Sequence, residues 1–378
     1  MAFCKTKCFY CDFNTYAGLG HLVDDYVNAL VTEIRGQPAP LPDSNPATPF
    51  EIGSIFFGGG TPSLLTPAQI GRVIDAAREW DVVPGAEITI EANPDDPTVD
   101  YLRAIRESGV NRLSFGVQSF DDAMLRKLGR RHGGAKAIEA FGFARQAGFD
   151  NVSIDLMFAL PGQTLDQWKE TLARAIALEP DHLSLYNLTV EAGTPFGDWA
   201  ARGKLTVPDD DAAADMYELA IDCLAEAGYR YYEISNWARV DSSRDFRAQH
   251  NLRYWRNQPY FGIGAGAHSS FAKHRYANVL APRDYILRLS NGQSTSESIE
   301  LIGQELEMGE TMLLGLRLDE GIDVDTFRRR FGCTPDDHYG PILRELRDFG
   351  LIAPSPDPIQ LTRRGKLLGN DVFSRFLP

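Results

Sequence analysis

Cysteine is scarce in this chain and concentrated in one place. There are five in 378 residues; three stand at positions 4, 8 and 11, leaving Cys223 and Cys333 alone. That pattern excludes a disulfide framework and suits a reducing compartment. Positive charge is in deficit as well. Lys and Arg total 38 against 52 Asp and Glu, a net charge of -14. A broad nucleic-acid surface needs the opposite balance, because phosphates must be neutralised. Long apolar runs are missing too: nothing approaches the roughly 18 residues of a membrane span. Met1-Ala-Phe leads straight into the first cysteine with no secretory signal. The remainder, 43% hydrophobic and 24% charged, is a soluble globular composition. The expectation is a cytoplasmic protein with no membrane span and no nucleic-acid partner.

What is there begins with Cys4-Lys-Thr-Lys-Cys8-Phe-Tyr-Cys11-Asp-Phe13, a C-x3-C-x2-C spacing. Thiolates are soft ligands, and several in one loop can converge on one inorganic centre. Three of them suit a four-iron cluster with one iron left open for a substrate or cofactor. The spacing also admits a zinc site with His21 as fourth ligand, or incidental thiols.

Behind this loop, apolar residues from Leu22 to Ile34 recur at helical spacing. Five prolines between positions 38 and 49 then mark an exposed connection. An alternation follows. Strands are expected near 52–57, 86–90, 111–117, 151–158, 182–188 and 231–234, with helices between them. Repeated strand–helix units mean a parallel sheet with helical crossovers. Polar and glycine signals recur near four successive strand ends, which favours a barrel, incomplete and of about six strands, over an open sheet with one switch point. Past residue 300 the texture becomes short helices and a hairpin around 354–358, a winged-helix-like module. The expected division is a barrel over 1–280, a linker over 281–300 and the small module over 301–378.

Several groups could carry chemistry. Gly58-Gly59-Gly60-Thr61 would let a ligand touch bare backbone beside a hydroxyl. Glu91, Gln118 and Asp155 would overhang the same face, and Arg130 can make a two-pronged bond to a carboxylate. His250-Asn-Leu-Arg-Tyr-Trp255 lies among Arg239, Arg244, Arg247, Arg253 and Arg256. An aromatic, locally basic segment suits a flat anionic ligand such as a porphyrin, with a histidine to ligate its iron. Gly262-Ile-Gly-Ala-Gly-Ala-His-Ser269 lacks dinucleotide-loop spacing and reads as a close-packed strand end on the same face.

Together these residues resemble the radical S-adenosylmethionine (SAM) superfamily. More narrowly they resemble its HemN/HemW group, through Phe57-Gly-Gly-Gly-Thr-Pro-Ser63, Glu91-Ala-Asn-Pro94, Ser114–Phe120, Ile154-Asp-Leu156, Leu160-Pro-Gly162 and Gly262–Ser269. The resemblance implies an α/β fold, an incomplete (β/α)6-type radical SAM barrel with the group's C-terminal module. It implies a [4Fe-4S] cluster on Cys4, Cys8 and Cys11, with SAM on the open iron. Gly59, Gly60, Thr61, Glu91, Gln118, Arg130 and Asp155 would then line the SAM site. The dehydrogenase branch, acting on coproporphyrinogen III, has a fourth cysteine where this chain has Phe13. His250–Trp255 matches the H-N-x-x-Y-W motif of the HemW branch, which is similar to a heme-binding chaperone. Heme on His250 and transfer to an acceptor protein are therefore expected. The alternatives are the dehydrogenase and a zinc-stabilised, non-redox binding protein. With so little chain before Cys4, the group's first barrel strand and its SAM-contacting Tyr are expected to be missing, the cluster loop looser and SAM binding weaker.

Overall fold

Alternation along the strands decides which side of the sheet becomes the core. In the computed structural model, which describes residues 1–36 and 51–377, Ile88, Ile90, Leu113, Phe115, Ile154, Leu156, Leu183 and Leu185 are all buried. The residues between them are polar: Thr89, Arg112, Ser114, Ser153, Asp155, His182 and Ser184. A parallel strand covered on both faces is apolar throughout. Here only one face is, so helices cover that face and the other lines a polar hollow.

The strands are β1 (Phe3–Cys4), β2 (Tyr16–Ala17), β3 (Ile52–Phe57), β4 (Val82–Ala92), β5 (Arg112–Gln118), β6 (Val152–Phe158), β7 (His182–Asn187), β8 (Tyr229–Glu233), β9 (Asn236–Arg239), β10 (His268–Phe271), β11 (His274–Asn278) and β12 (Ser296–Leu301). The main sheet has the order β3-β4-β5-β6-β7-β9-β8. Its first five strands are parallel, and β9 pairs antiparallel with both β7 and β8. The two end strands, β3 and β8, do not pair, so the barrel is incomplete. The expectation of about six strands missed β9. Only Ile234 and Ser235 separate it from β8. That gap suits a tight reversal and leaves no room for a crossover helix.

The helices follow as α1 (Val23–Gly36), α2 (Pro67–Ala77), α3 (Val99–Glu107), α4 (Asp122–Lys127), α5 (Gly134–Gln146), α6 (Leu165–Ala177), α7 (Pro195–Ala201), α8 (Asp210–Glu226), α9 (Gln249–Trp255) and α10 (Pro282–Ser290). Local chemistry starts several of them. Thr66 with Gln69, and Thr164 with Gln167, form reciprocal capping boxes at α2 and α6. Each N-cap side chain stabilises its helix by roughly 0.5–2 kcal/mol.

Two expectations are corrected. Residues 281–300, expected as a linker, carry α10 and most of β12; α10 packs on α1, with Tyr26 and Tyr285 rings 5.2 Å apart. Gly262–Ser269 is not a strand end of the main sheet. It leads into the antiparallel β10-β11-β12 sheet and packs on α1. Buried Glu33 of α1 accepts hydrogen bonds there from Gly264 N (2.8 Å), Asn278 Nδ2 (2.6 Å), Tyr285 Oη (2.5 Å) and Thr295 Oγ1 (3.1 Å). The lead-in to the cysteines forms the short β1, which pairs with β2 and is not part of the main sheet. Its carbonyls hold the turn after β3, with Gly60 N on Met1 O (2.7 Å) and Thr61 N on Phe3 O (2.8 Å). The proline-rich segment at 37–50 lies outside the described residues.

The C-terminal part comprises α11 (Gln304–Gly315), α12 (Val324–Phe331), α13 (Pro335–Asp348), α14 (Arg363–Leu367) and α15 (Gly369–Phe373). It has its own core, around Met312, Phe327, Leu343, Ile352 and Ile359. The hairpin is reduced to the single bridge Ile352–Leu361. Helix α13 starts at Pro335. Thr334 and Asp337 cap it, and Pro341 sits inside. No helix among the described residues is long and apolar enough to cross a membrane.

Candidate cofactor site

The three cysteines lie at the carboxyl ends of the parallel strands. They line one cavity of about 370 Å³ together with Gly59, Gly60, Thr61, Glu91, Gln118, Arg130 and Asp155. Every cluster and SAM candidate from the sequence is thus brought to one hollow; His250 is not among its lining residues.

Each side chain is placed by the element beneath it. The cysteine loop is tied at several points. Thr61 Oγ1 donates to Cys4 Sγ (3.4 Å) and Arg130 Nη1 to Cys8 Sγ (3.5 Å). Phe9 N donates to Leu128 O (3.1 Å), and Asn14 Nδ2 to Leu280 O (2.9 Å). Gly59 has φ of +102°, a conformation that favours glycine. A Cβ on Gly60 would stand 2.5 Å from the Phe3 carbonyl oxygen, so backbone meets backbone there.

Glu91 ends β4 and accepts from Gly59 N at 3.1 Å. Burial, followed by the nearby Asp155 carboxylate, pushes its pKa up to about 7. Asp155 is raised by the same burial, opposed by hydrogen bonds from Ser184, Ser114 and Ser153. Arg130 donates to Gly116 O and, at 3.4 Å, to Asn93 Oδ1. Three buried side-chain atoms of the lining residues have no partner among the described residues: Thr15 Oγ1, Gln118 Oε1 and Arg130 Nε. An unpaired buried polar atom is costly, so unpaired groups facing a cavity are groups that a ligand would satisfy. Gln118 itself has φ of +66°, strained for a non-glycine residue in a strand end.

Sequence reasoning missed Tyr10, Asn93, Met157 and Tyr186, which also line the cavity. Tyr186 was legible. It stands two and four residues beyond Ser184 and His182, on the same polar face of β7. His21, the fourth ligand of the single-ion alternative, is not among the residues that line the cavity. His21 Nε2 lies 3.5 Å from the Arg283 guanidinium. Among the described residues no three His, Cys, Asp or Glu side chains converge as one ion requires.

His250 stands elsewhere. It opens α9, which lies against β3. Its ring stacks on Phe56 (centroids 4.9 Å apart) and meets Tyr254 edge-on (5.0 Å). Nδ1 is 3.0 Å from Ser54 Oγ. Glu87 of β4 accepts from Gln249 N (3.1 Å) and His250 N (3.0 Å), fixing the first turn of the helix. Burial, then the charges of Arg112 and Arg253, lower the His250 pKa to about 4. The imidazole is neutral at physiological pH.

Family comparison matches the two halves of this description separately. Residues 1–175 match the radical SAM superfamily and residues 304–368 the HemN C-terminal domain. A Bacillus subtilis (strain 168) protein named heme chaperone HemW is 38% identical over 99% of this chain and 97% of its own length. This chain belongs to the radical SAM superfamily, in its HemN/HemW group. A HemW of Lactococcus lactis subsp. lactis (strain IL1403) is 36% identical over 99% of this chain and 95% of its own. The solved structure described as coproporphyrinogen III oxidase (HemN) from Escherichia coli, a radical SAM enzyme, superposes with a TM-score of 0.83. It is 25% identical and covers 100% of this chain and 88% of its own. Membership in the radical SAM superfamily implies a [4Fe-4S] cluster and SAM, and the cavity has groups for both: the thiols of Cys4, Cys8 and Cys11, the carboxyls of Glu91 and Asp155, the Gln118 amide and the Arg130 guanidinium.

Proposed function

We propose that this chain is a cytoplasmic heme chaperone on a radical SAM scaffold, binding heme and passing it to an acceptor protein. Cys4, Cys8 and Cys11 hold the cluster. Gly59, Gly60 and Thr61 meet the methionine part of SAM, with Glu91 at its amino group. Gln118, Arg130 and Asp155 line the rest of the SAM site. When bound, the cluster and SAM would supply reductive radical chemistry; the protein's part is to hold, position and shield them.

The observation that carries the heme reading is His250. Its ring is neutral, and Nδ1 faces a serine hydroxyl. That contact is 3.0 Å long, and burial lowers the ring's pKa to about 4. A proton on Nδ1 directed at Ser54 leaves the Nε2 lone pair for iron, the usual way a ligating histidine is fixed. The relatives named heme chaperone give the reading its second support.

A heme titration of the wild-type protein and of His250→Ala tests it. The reading expects a bound-heme spectrum in the first that weakens or changes in the second. Identical spectra would remove His250.

The complete SAM cavity and the HemN likeness favour a second reading, a coproporphyrinogen III dehydrogenase. Phe13, 62% exposed where that branch has a cysteine, weighs against it. Incubation with coproporphyrinogen III, SAM and reductant separates the two, since conversion to protoporphyrinogen IX would favour the enzyme.

A further inference from the structure

Five arginines flank or belong to the His250 segment, and the structure sorts them. Arg239 pairs with Asp181 (2.7 Å) and Arg244 with Asp150 (2.8 Å). Arg247 pairs with Asp245 (2.7 Å) and Arg256 with Glu320 (2.7 Å). Arg253 has no acidic partner among the described residues. Its one hydrogen bond is from Nη1 to the neutral Gln258 Oε1 (3.3 Å), and its buried Nε has none.

Arg253 is also held in place. It lies three residues after His250 on α9, so the two side chains share a helix face. Both lie over β3, His250 on Ser54 and Phe56, Arg253 on Gly53. A Cβ on Gly53 would overlap the guanidinium outright and stand 2.7 Å from Cζ. The bare backbone of Gly53 is the seat of this side chain. A half-buried, uncompensated guanidinium is costly, and a carboxylate ligand would compensate it with charge-assisted hydrogen bonds.

We infer that Arg253, seated on Gly53, is the carboxylate-binding residue for the ligand carried at His250: it takes a propionate of the porphyrin. This rests on the heme reading above and extends it by naming the group that recognises the ligand's acid edge. The remaining arginines of the segment are spent on protein carboxylates.

The test uses the full chain and two probes, hemin and hemin dimethyl ester, whose propionates carry no charge. Wild-type protein is expected to bind hemin more tightly than the ester. Arg253→Gln should weaken hemin binding on the order of tenfold, as for loss of one charge-assisted contact, and leave the ester nearly unchanged. Gly53→Ala keeps the arginine but unseats it, and should reproduce the effect in a folded protein. Arg253→Lys should restore part of the preference. A wild-type hemin-to-ester ratio in both Arg253→Gln and Gly53→Ala overturns the inference. A wild-type protein that binds neither probe overturns the heme reading and the inference with it. If His250→Ala leaves the spectrum unchanged while Arg253→Gln abolishes the preference, the carboxylate site stands and the histidine ligand falls.

Discussion

The two ends of strand β3 serve different purposes, and they are built differently. At its carboxyl end, Gly58–Thr61 joins the cysteine loop and the ends of four other strands around a cavity. That mouth is preassembled. Its backbone is held by the β1 lead-in, and three of its buried polar atoms, Thr15 Oγ1, Gln118 Oε1 and Arg130 Nε, have no partner among the described residues. Further back, Gly53, Ser54 and Phe56 carry one side of the short helix α9. Neither the 370 Å³ mouth nor the 640 Å³ cavity by Arg239 and Phe246 includes His250 among its lining residues. A walled cavity suits a resident cofactor, and a shelf on an edge strand suits a cargo that must leave. The difference teaches that cluster and heme handling, as proposed, should separate under mutation.

The largest expected effect is at the mouth. Cys8→Ala should abolish cluster incorporation, read as iron and sulfide per chain and as the paramagnetic signal after reduction, while heme binding persists. Loss of both together would break the comparison. Next is Gly60→Ala. Its Cβ would meet the Phe3 carbonyl, a backbone atom that cannot swing aside. Destabilisation of about 1–3 kcal/mol in denaturant unfolding is expected, with reduced cluster content.

Acid sensitivity sharpens the contrast. Glu91 keeps its proton up to about pH 7 through burial, so a cationic SAM amine bound there, as proposed, would displace that proton. SAM affinity should therefore rise with pH up to about 7 and level off above it, approaching tenfold per unit on the acid side. Glu91→Gln should bind weakly at every pH and lose that slope in calorimetry. His250, held near pKa 4 by burial, titrates well below that window. Heme ligation by its neutral ring should be level between pH 8 and 6. The smallest effect is expected from Ser54→Ala. The heme remains bound, with a modest spectral shift as the ring loses the partner that fixes its tautomer.

How much of this was legible follows from where the partners lie in the chain. The mouth was legible because polar residues at the ends of apolar strands need no knowledge of tertiary pairing. Glu91, Gln118 and Asp155 could be placed by alternation alone. Strand β9 was not, because nothing in Asn236–Arg239 marks a reversal so soon after β8. Helix α10 was hidden for a related reason: its apolar contacts are with α1, over 250 residues earlier in the chain for Tyr26 and Tyr285. His250 was visible as a motif, but its serine partner is 196 residues away. The distinction between Arg253 and its neighbours is largely tertiary, since only folding assigns acids to Arg239, Arg244 and Arg256, while Arg247 finds Asp245 two residues away.

The most direct measurement loads the reconstituted wild-type, Cys8→Ala and His250→Ala proteins with heme anaerobically and reads cluster and heme in the same samples. The account predicts that Cys8→Ala loses the cluster and keeps the heme spectrum, while His250→Ala keeps the cluster and changes the heme spectrum. Heme lost with the cluster in Cys8→Ala, alongside an unaltered heme spectrum in His250→Ala, would contradict it and move the heme to the mouth.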